Sequence, residues 1–468
     1  MRPLLACALA VAAISAAISA TLAAPPALGA DARDTPGAGD GGPVVSPALA
    51  AEVRERTRVR SIVEVRPGHR PQDVAADLEQ GSNGARILEA AQSPHFFVAE
   101  LDGRTLRRLM RDDRVRAVYE DELRAPTLDA STKIIGSDRA NRAGVTGVAT
   151  TIAVLDTGID RDHPFFRGRI VDEACFSSSY AGDGSVSLCP NGQPSQTGPG
   201  AADAETAQCV AGGSNACFHG THVAGIAAGR LTAGAPSDGV APAAGILPIQ
   251  VFSRIDSGTV CGGMGASAPC FLSYTSDQKL ALEYVAKVAA TYRVAAANMS
   301  LGGGGPFKEH CDGQPGAASL KPDFDALLAL GVAPVVAAGN NGFTDGVSAP
   351  ACISSAIAVG ATDDRDRLAS FTNRGKLVDV FAPGVAIDSS VPDDTYRELS
   401  GTSMAAPHVA GSFALMRQRF PRNTVLQNLR GLQGTGRPVS YPSGGATVTT
   451  PRIDVGAATV GVAADPRR

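Results

Sequence analysis

Leu399-Ser-Gly-Thr-Ser403-Met-Ala-Ala-Pro-His408-Val-Ala-Gly411 reads as a serine set at the mouth of a helix. Gly401 permits a tight turn, Thr402 and Ser403 are residue types that favour helix starts, and Ala405, Ala406, Val409 and Ala410 let the following helix pack closely. A serine so placed is expected to be presented rather than buried. The unpaired N–H groups and positive dipole end of a helix N-terminus favour negative charge, which suits an alkoxide and the oxyanion formed when it attacks a carbonyl. Serine-rich turns before alanine-rich helices are usually plain caps, so the reading needs partners.

Two partners precede it. Thr151-Ile-Ala-Val-Leu-Asp156-Thr-Gly158-Ile-Asp160 is a short apolar run ending in a carboxylate, a buried strand that delivers an acid at its C-terminal end, where open α/β sheets place their sites. Cys217-Phe-His219-Gly-Thr-His222-Val-Ala-Gly-Ile-Ala-Ala-Gly229 reads as a small-residue helix with a histidine in its first turn. A serine hydroxyl is a weak nucleophile until an imidazole takes its proton, and the imidazole needs a carboxylate to fix its tautomer. Acid, base and nucleophile thus follow in the order Asp156, His219, Ser403.

The blocks Val154–Asp160, His219–Gly225 and Gly401–Gly411 resemble, in order and almost in full, the signatures of the subtilisin-like serine proteases. That resemblance implies Asp156 as the orienting acid, His219 as the general base and Ser403 as the nucleophile. A fourth block, Pro334-Val-Val-Ala-Ala-Gly339-Asn340-Asn341-Gly342, resembles the segment whose first asparagine donates to the oxyanion, which implies that role for Asn340. A fifth, Asn298-Met-Ser300-Leu-Gly302-Gly303, resembles the strand that pairs with substrate backbone, so Ser300, Leu301, Gly302, Gly303, Ala338 and Gly339 are expected to bind substrate. These blocks are small and uncharged, which implies a roomy apolar pocket and broad specificity. The likeness covers roughly residues 130 to 460.

Other residues near these blocks have plainer readings. Asp160 and Asp162 follow a glycine and read as turn residues in water. His222 stands three residues after His219, but no glutamate follows either as in H-E-x-x-H, so a zinc site is not expected. His222, His408 and His163 read as structural.

Four segments follow from the rest of the chain. Met1 to about residue 30 has the positive start and apolar middle of a secretory signal, and 31–52, rich in Ala, Gly, Pro and Asp, reads as a flexible linker. Residues 53–125 alternate as β-α-β-β-α-β: Ser61–Val65, Pro71–Gln80, Ala85–Ala91, Phe96–Leu101, Thr105–Met110 and Val115–Glu120. This small α+β (ferredoxin-like) unit resembles the inhibitory propeptide of the same family, with processing expected between Asp121 and Thr132. Residues 130–465 are then a doubly wound α/β domain with a mostly parallel sheet. Its length of about 340 residues is acceptable for one enzyme domain with insertions.

A net charge of −4 argues against a nucleic-acid partner, and the mature part has no run of 18 apolar residues to span a membrane. Eight cysteines beyond Cys7 suit an exported, oxidising setting, extracellular or periplasmic. They allow 105 connectivities, of which local pairing is the expectation: Cys175 with Cys189, Cys209 with Cys217, Cys261 with Cys270, Cys311 with Cys352. Phe165 stands where many relatives carry a calcium-binding aspartate, which counts against that structural calcium; catalysis itself implies no cofactor. The expected product is a secreted, self-processing, monomeric endopeptidase acting on proteins or peptides and inhibited by its own propeptide. The rival is an exported binding or scaffold protein with an inert domain.

Overall fold

In the computed structural model, which describes residues 43–45, 49, 53, 58–81, 85–89, 93–121, 123–126 and 134–461, the N-terminal unit is built on β1 (Val59–Val65), a strand buried along its whole length. The elements that follow are α1 (Pro71–Gly81), β2 (Arg86–Glu89), β3 (Phe96–Leu101), α2 (Gly103–Leu109) and β4 (Val115–Glu120). β1 is central, paired antiparallel with β3 and β4. Because side chains alternate along a strand, this sheet has two apolar faces. Val63, Phe97, Ala99 and Val118 pack on Val74 and Leu78 of α1 and Leu106 and Leu109 of α2. Ile62, Phe96 and Val98 point the other way and join the core of the larger domain. Asp102 caps α2 by accepting the Thr105 N–H at 2.7 Å.

The expected linker over 31–52 differs in its second half. Val44–Val45 forms a short strand parallel to Ala117–Val118, and Leu49 is fully buried in the core of this unit. Its composition is polar and Pro/Gly-rich on average, but Val44 and Val45 pair with a sheet edge, and Val45 and Leu49 pack on the core. The proposed signal segment lies outside the described residues.

The chain then runs through β5 (Leu123–Pro126) into the larger domain. The elements that build its main sheet and position the site are β6 (Thr151–Asp156), β7 (Ala174–Phe176), β8 (Ser195–Thr197), α3 (Phe218–Ala228), β9 (Gly245–Gln250), β10 (Cys270–Tyr274), α4 (Thr275–Tyr292), β11 (Val294–Met299), β12 (Leu301–Phe307), α5 (Ala317–Ala329), β13 (Ala333–Ala337), β14 (Val347–Ala349), β15 (Ile357–Thr362), β16 (Val380–Pro383), α6 (Thr402–Arg419), α7 (Val425–Thr435), β17 (Arg437–Ser443) and β18 (Ala446–Arg452). The main sheet has ten strands in the order β8-β7-β9-β6-β11-β13-β15-β16-β18-β17. Its interior pairs are parallel, and only the two edge pairs, β8 with β7 and β17 with β18, are antiparallel.

A parallel strand covered on both faces reads as continuous apolar sequence, as β6 does. Ile152 and Val154 face Val223 and Ala227 of α3 and Val409 and Phe413 of α6. Ala153 and Leu155 face Leu280 and Val285 of α4 and Phe324 of α5. The four expected disulfides are present, and the Cys311–Cys352 bridge, spanning 41 residues, restrains the unfolded chain by about 4 kcal/mol on a chain-entropy account.

The N-terminal unit packs on α4 and α5 through charge as well as apolar surface. Asp121 accepts the Ser276 N–H at 2.8 Å in the first turn of α4, and Arg60 donates to Asp121 at 2.5 Å while lying 4.0 Å from the Tyr274 ring centre. Lys279, 3% exposed, lies 2.9 Å from Asp323 and 3.4 Å from Glu64 of β1, and Ser93 donates to Glu283 at 2.8 Å.

α3 meets the loop after β6 at backbone distance. A Cβ on Gly220 would lie 2.1 Å from the Gly158 carbonyl oxygen, closer than any real contact. Gly220→Ala is therefore expected to prevent accumulation of folded protein. Gly434→Ala, at an exposed position of α7 with open space around it, is expected to stabilise by about 0.5–1 kcal/mol. Thermal unfolding of the two variants beside the parent checks both; a Gly220→Ala protein with the parental midpoint would contradict the close approach.

Candidate active site

The site lies at the carboxyl edge of the main sheet, where Asp156 ends β6, Asn298 lies near the end of β11, Ser300 follows it, and Asn340 follows β13. Helices α3 and α6 begin at the same edge and pack against each other, Gly411 allowing α6 to within a Cβ's 2.8 Å of the Ala227 carbonyl oxygen. Their first turns carry His219 and Ser403.

Asp156 and His219 are joined directly: Oδ1 lies 2.6 Å from Nδ1, with both side chains almost wholly buried. The same Oδ1 accepts the Thr157 N–H at 2.7 Å. Thr157 then clamps the start of α3, its hydroxyl donating to the Cys217 carbonyl at 2.9 Å and accepting the Gly220 N–H at 2.9 Å. Thr221 answers from α3, accepting the Asp160 N–H at 2.8 Å. A carboxylate on Nδ1 makes that nitrogen the donor and leaves Nε2 as the ring's basic atom.

Ser403 is fully buried, against the expectation that the helix start would present it. Its neighbours His219, Ser300 and Thr402 are buried with it. Beside Ser300, β5 runs antiparallel between β12 and β10. The register sets Leu301 against Pro126, Gly302 against Ala125, Ser273 against Arg124 and Tyr274 against Leu123. On the far side of β12, Gly303 pairs with Ala349 of β14, and a Cβ at Gly302 would strike the Ala349 carbonyl at 2.6 Å. Five of the expected substrate-binding residues lie on two segments of this edge: Leu301, Gly302 and Gly303 on β12, and Ala338 and Gly339 after β13.

Asn340 is held by the residue before Ser403. Thr402 donates both its N–H, at 2.8 Å, and its hydroxyl, at 2.9 Å, to Asn340 Oδ1, so the amide nitrogen is turned away from Thr402. Asn373 braces the same loop, donating to the Ala338 carbonyl at 2.9 Å and accepting the Asn341 and Phe343 N–H groups at 3.0 Å each. Thr157, Thr221, Thr402 and Asn373 escaped the sequence reading. The three threonines stood inside the motif blocks, whereas Asn373 lies 30 to 35 residues from these partners and had no local signal.

The other histidines are committed to backbone carbonyls. His222 Nε2 lies 2.8 Å from the Arg397 oxygen, His163 Nε2 3.1 Å from that of Thr395, and His408 Nδ1 2.7 Å from that of Met404. Burial pushes the His222 ring down to about 3, so it is neutral at ordinary pH.

Asp160 corrects the sequence reading: it is buried, not a turn residue in water. Its carboxylate accepts the His163 N–H at 2.9 Å and closes the loop after β6 inward. Burial, with the charges of Glu205 and Asp162 beside it, pushes this carboxyl up to about 7. Asp160, Asp162 and Glu205 bring one oxygen each within 4.8 Å of one another, which is three hard donors where calcium takes six to eight. At the position where relatives bind calcium, Phe165 is buried among the rings of His163, Phe166 and Tyr396 and offers no oxygen, so the residues there do not fit the ion.

Residues 147–435 match the family model Peptidase_S8, described as the Subtilase family. Subtilisin E of Bacillus subtilis (strain 168) is 31% identical over 359 residues, 75% of this chain and 78% of that protein. An alkaline protease of Shouchella clausii is 34% identical over 367 residues, 78% of this chain and 80% of that protein. A solved cold-adapted subtilisin-like serine proteinase is 29% identical, with a TM-score of 0.45, covering 62% of this chain and 83% of its own. A family match over more than half of the chain, joined to relatives above 30% identity along most of their length, places this protein in the subtilase family of serine endopeptidases.

Proposed function

We propose that this protein is an exported endopeptidase made as a self-processing precursor, in which Asp156, His219 and Ser403 form the catalytic triad. The observation that carries the reading is the pairing of β5 with β10 and β12: a segment of the chain lies as an extended peptide on the strand that follows Ser300, whose hydroxyl bonds Ser403. Main-chain pairing of this kind binds peptide with little regard to side chains, while pockets for alternate side chains add selectivity. The small, uncharged residues Leu301, Gly302, Gly303, Ala338 and Gly339 favour broad specificity.

In the proposed reaction His219 Nε2 takes the proton of Ser403 Oγ as the oxygen attacks the peptide carbonyl. The Ser403 N–H, at the positive end of α6, and the Asn340 amide stabilise the oxyanion. His219, held as an imidazolium by Asp156, returns the proton to the leaving amine. Water then enters, is activated by the same ring and releases the acyl group. Each step uses only protein groups and water. Four disulfides support export, and among the described residues no helix is long and apolar enough to cross a membrane. An inert scaffold would need none of the Asp156–His219 contact, the held Asn340 or the strand pairing of β5, and is not favoured.

Residues 53–125 are proposed as the inhibitory propeptide, 130–465 as the enzyme, and 1–30 as a signal. Ser403→Ala is expected to leave the precursor whole where the parent loses a segment ending between 121 and 132, read by mass and N-terminal sequencing. In matured enzyme Ser403→Ala should lose about 10⁶-fold in kcat, Asp156→Asn about 10⁴-fold and Asn340→Ala about 10²–10³-fold, magnitudes whose reference cases include subtilisins themselves. Processing of Ser403→Ala at the parental rate and position in isolated, purified chain would overturn the assignment.

Release of the propeptide should depend on pH. Burial pushes the Glu283 carboxyl up to about 7 and raises Glu64 and Asp323, with Lys279 opposing the rise in all three. The docked form therefore holds protons that the separated parts give up, so docking is strongest in acid and weakens as pH rises through about 7. Hydrogen exchange of β1 and β3 amides in the Ser403→Ala precursor, corrected for intrinsic rates, is expected to quicken as pH rises from about 4.5 to about 7 and to level off above it. Glu283→Gln should flatten that change; an unaltered pH dependence would exclude Glu283 as its source.

A further inference from the structure

In an α-helix each carbonyl accepts the N–H four residues on. For Ser403 that residue is Pro407, which lies inside α6 and has no N–H. The helical ladder therefore withholds a donor from the carbonyl of the very residue that carries the nucleophilic oxygen, at a fully buried position. A buried carbonyl is satisfied from elsewhere or costs stability.

The donor comes from outside the helix. Ser300 Oγ donates to the Ser403 carbonyl oxygen at 2.5 Å. Ser300 Oγ in turn accepts the Asn298 side-chain N–H at 2.9 Å, which leaves the hydroxyl proton for Ser403 and fixes its direction. Ser403 Oγ answers by donating to the Ser300 carbonyl at 3.1 Å. Asn298, Ser300 and Ser403 are all fully buried, and Ser300 is the single residue between β11 and β12, the strand paired with β5.

We propose that the Ser300 hydroxyl, aimed by Asn298, is a positioning group for the nucleophile: it replaces the helix hydrogen bond that Pro407 withholds and fixes Ser403 against the strand that binds substrate. This goes beyond the placing of Ser300 among substrate contacts, and it rests on Ser403 being the nucleophile. Proline and serine act as a pair. With an ordinary residue at 407 its N–H would draw the carbonyl into the helix; with proline there, the start of α6 is tied sideways to β12. The tie sets where Ser403 Oγ and its N–H stand relative to a peptide lying on that strand.

The test is a two-by-two cycle of Ser300→Ala and Pro407→Ala in the full-length protein, matured and assayed on a succinyl-tetrapeptide p-nitroanilide. Ser300→Ala should lower kcat by about 10- to 100-fold, the scale of one buried hydrogen bond, with KM within threefold and the parental pH profile, since the Asp156–His219 pair is untouched. In the Pro407→Ala background, where residue 407 supplies an N–H, the same substitution should cost less than threefold. Where Ser300→Ala does not accumulate as folded protein, Ser300→Cys keeps the volume with a weaker donor and should fall between alanine and parent. Equal losses in both backgrounds, parental kcat in Ser300→Ala or Ser300→Cys, or a loss confined to KM would overturn the proposal while leaving the protease reading intact. Hydrolysis by Ser403→Ala at the parental rate would overturn both.

Discussion

The close approach of α3 to the loop after β6 is the constraint from which the site follows. Asp156 is fixed by its strand, which is buried on both faces, whereas His219 belongs to a helix that has to be brought to it. Gly220 removes the Cβ that would hold the two apart, and Thr157 and Thr221 fasten loop to helix with hydroxyls on opposite sides of the junction. The 2.6 Å separation of Asp156 and His219 is thus set by backbone contact. Side chains positioned by packed backbone lose little freedom when substrate arrives, which is how a site stays organised before the reaction begins.

The N-terminal sheet uses one face for its own helices and the other for α4 and α5, so it is both a folded unit and a docking surface. Buried charge makes that dock sensitive to its surroundings. Lys279 is shared among Asp323, Glu64 and Glu283, with Arg116 of β4 3.5 Å from Glu64 on the exposed side. Such a pair of faces holds while its protons balance and loosens when they do not, whereas the apolar contacts are indifferent to pH.

Motif blocks and strand periodicity were legible because their physical causes are local. A strand covered on both faces has to be apolar throughout, and a helix that packs closely on another has to be small-sided, so Thr151–Asp156 and the Ala/Gly-rich starts of α3 and α6 announced themselves. Loop-closing cysteines 8, 9 and 14 residues apart were also readable by proximity. The misreadings share a different cause. Asp160 looks like a turn residue until Thr221 and the loop near Asp394 cover it, and Val44, Val45 and Leu49 sit in a stretch whose average composition is that of a linker.

What the amino-acid order determined by itself was the kind of chemistry on offer: an acid ending a strand, a histidine and a serine each opening a helix, and an asparagine after a glycine. Those signals survive in one dimension because each depends on neighbours within a few residues. Only the tertiary structure decided which atoms meet. The Asp156–His219 contact spans 63 positions, and the two hydrogen bonds between Ser300 and Ser403 span 103. Pro407 shows the difference most clearly. In the sequence it is a proline in a helix, a local fault; in the fold it frees one carbonyl for a hydroxyl that arrives from another strand, because burial demands a partner and the chain alone does not say which.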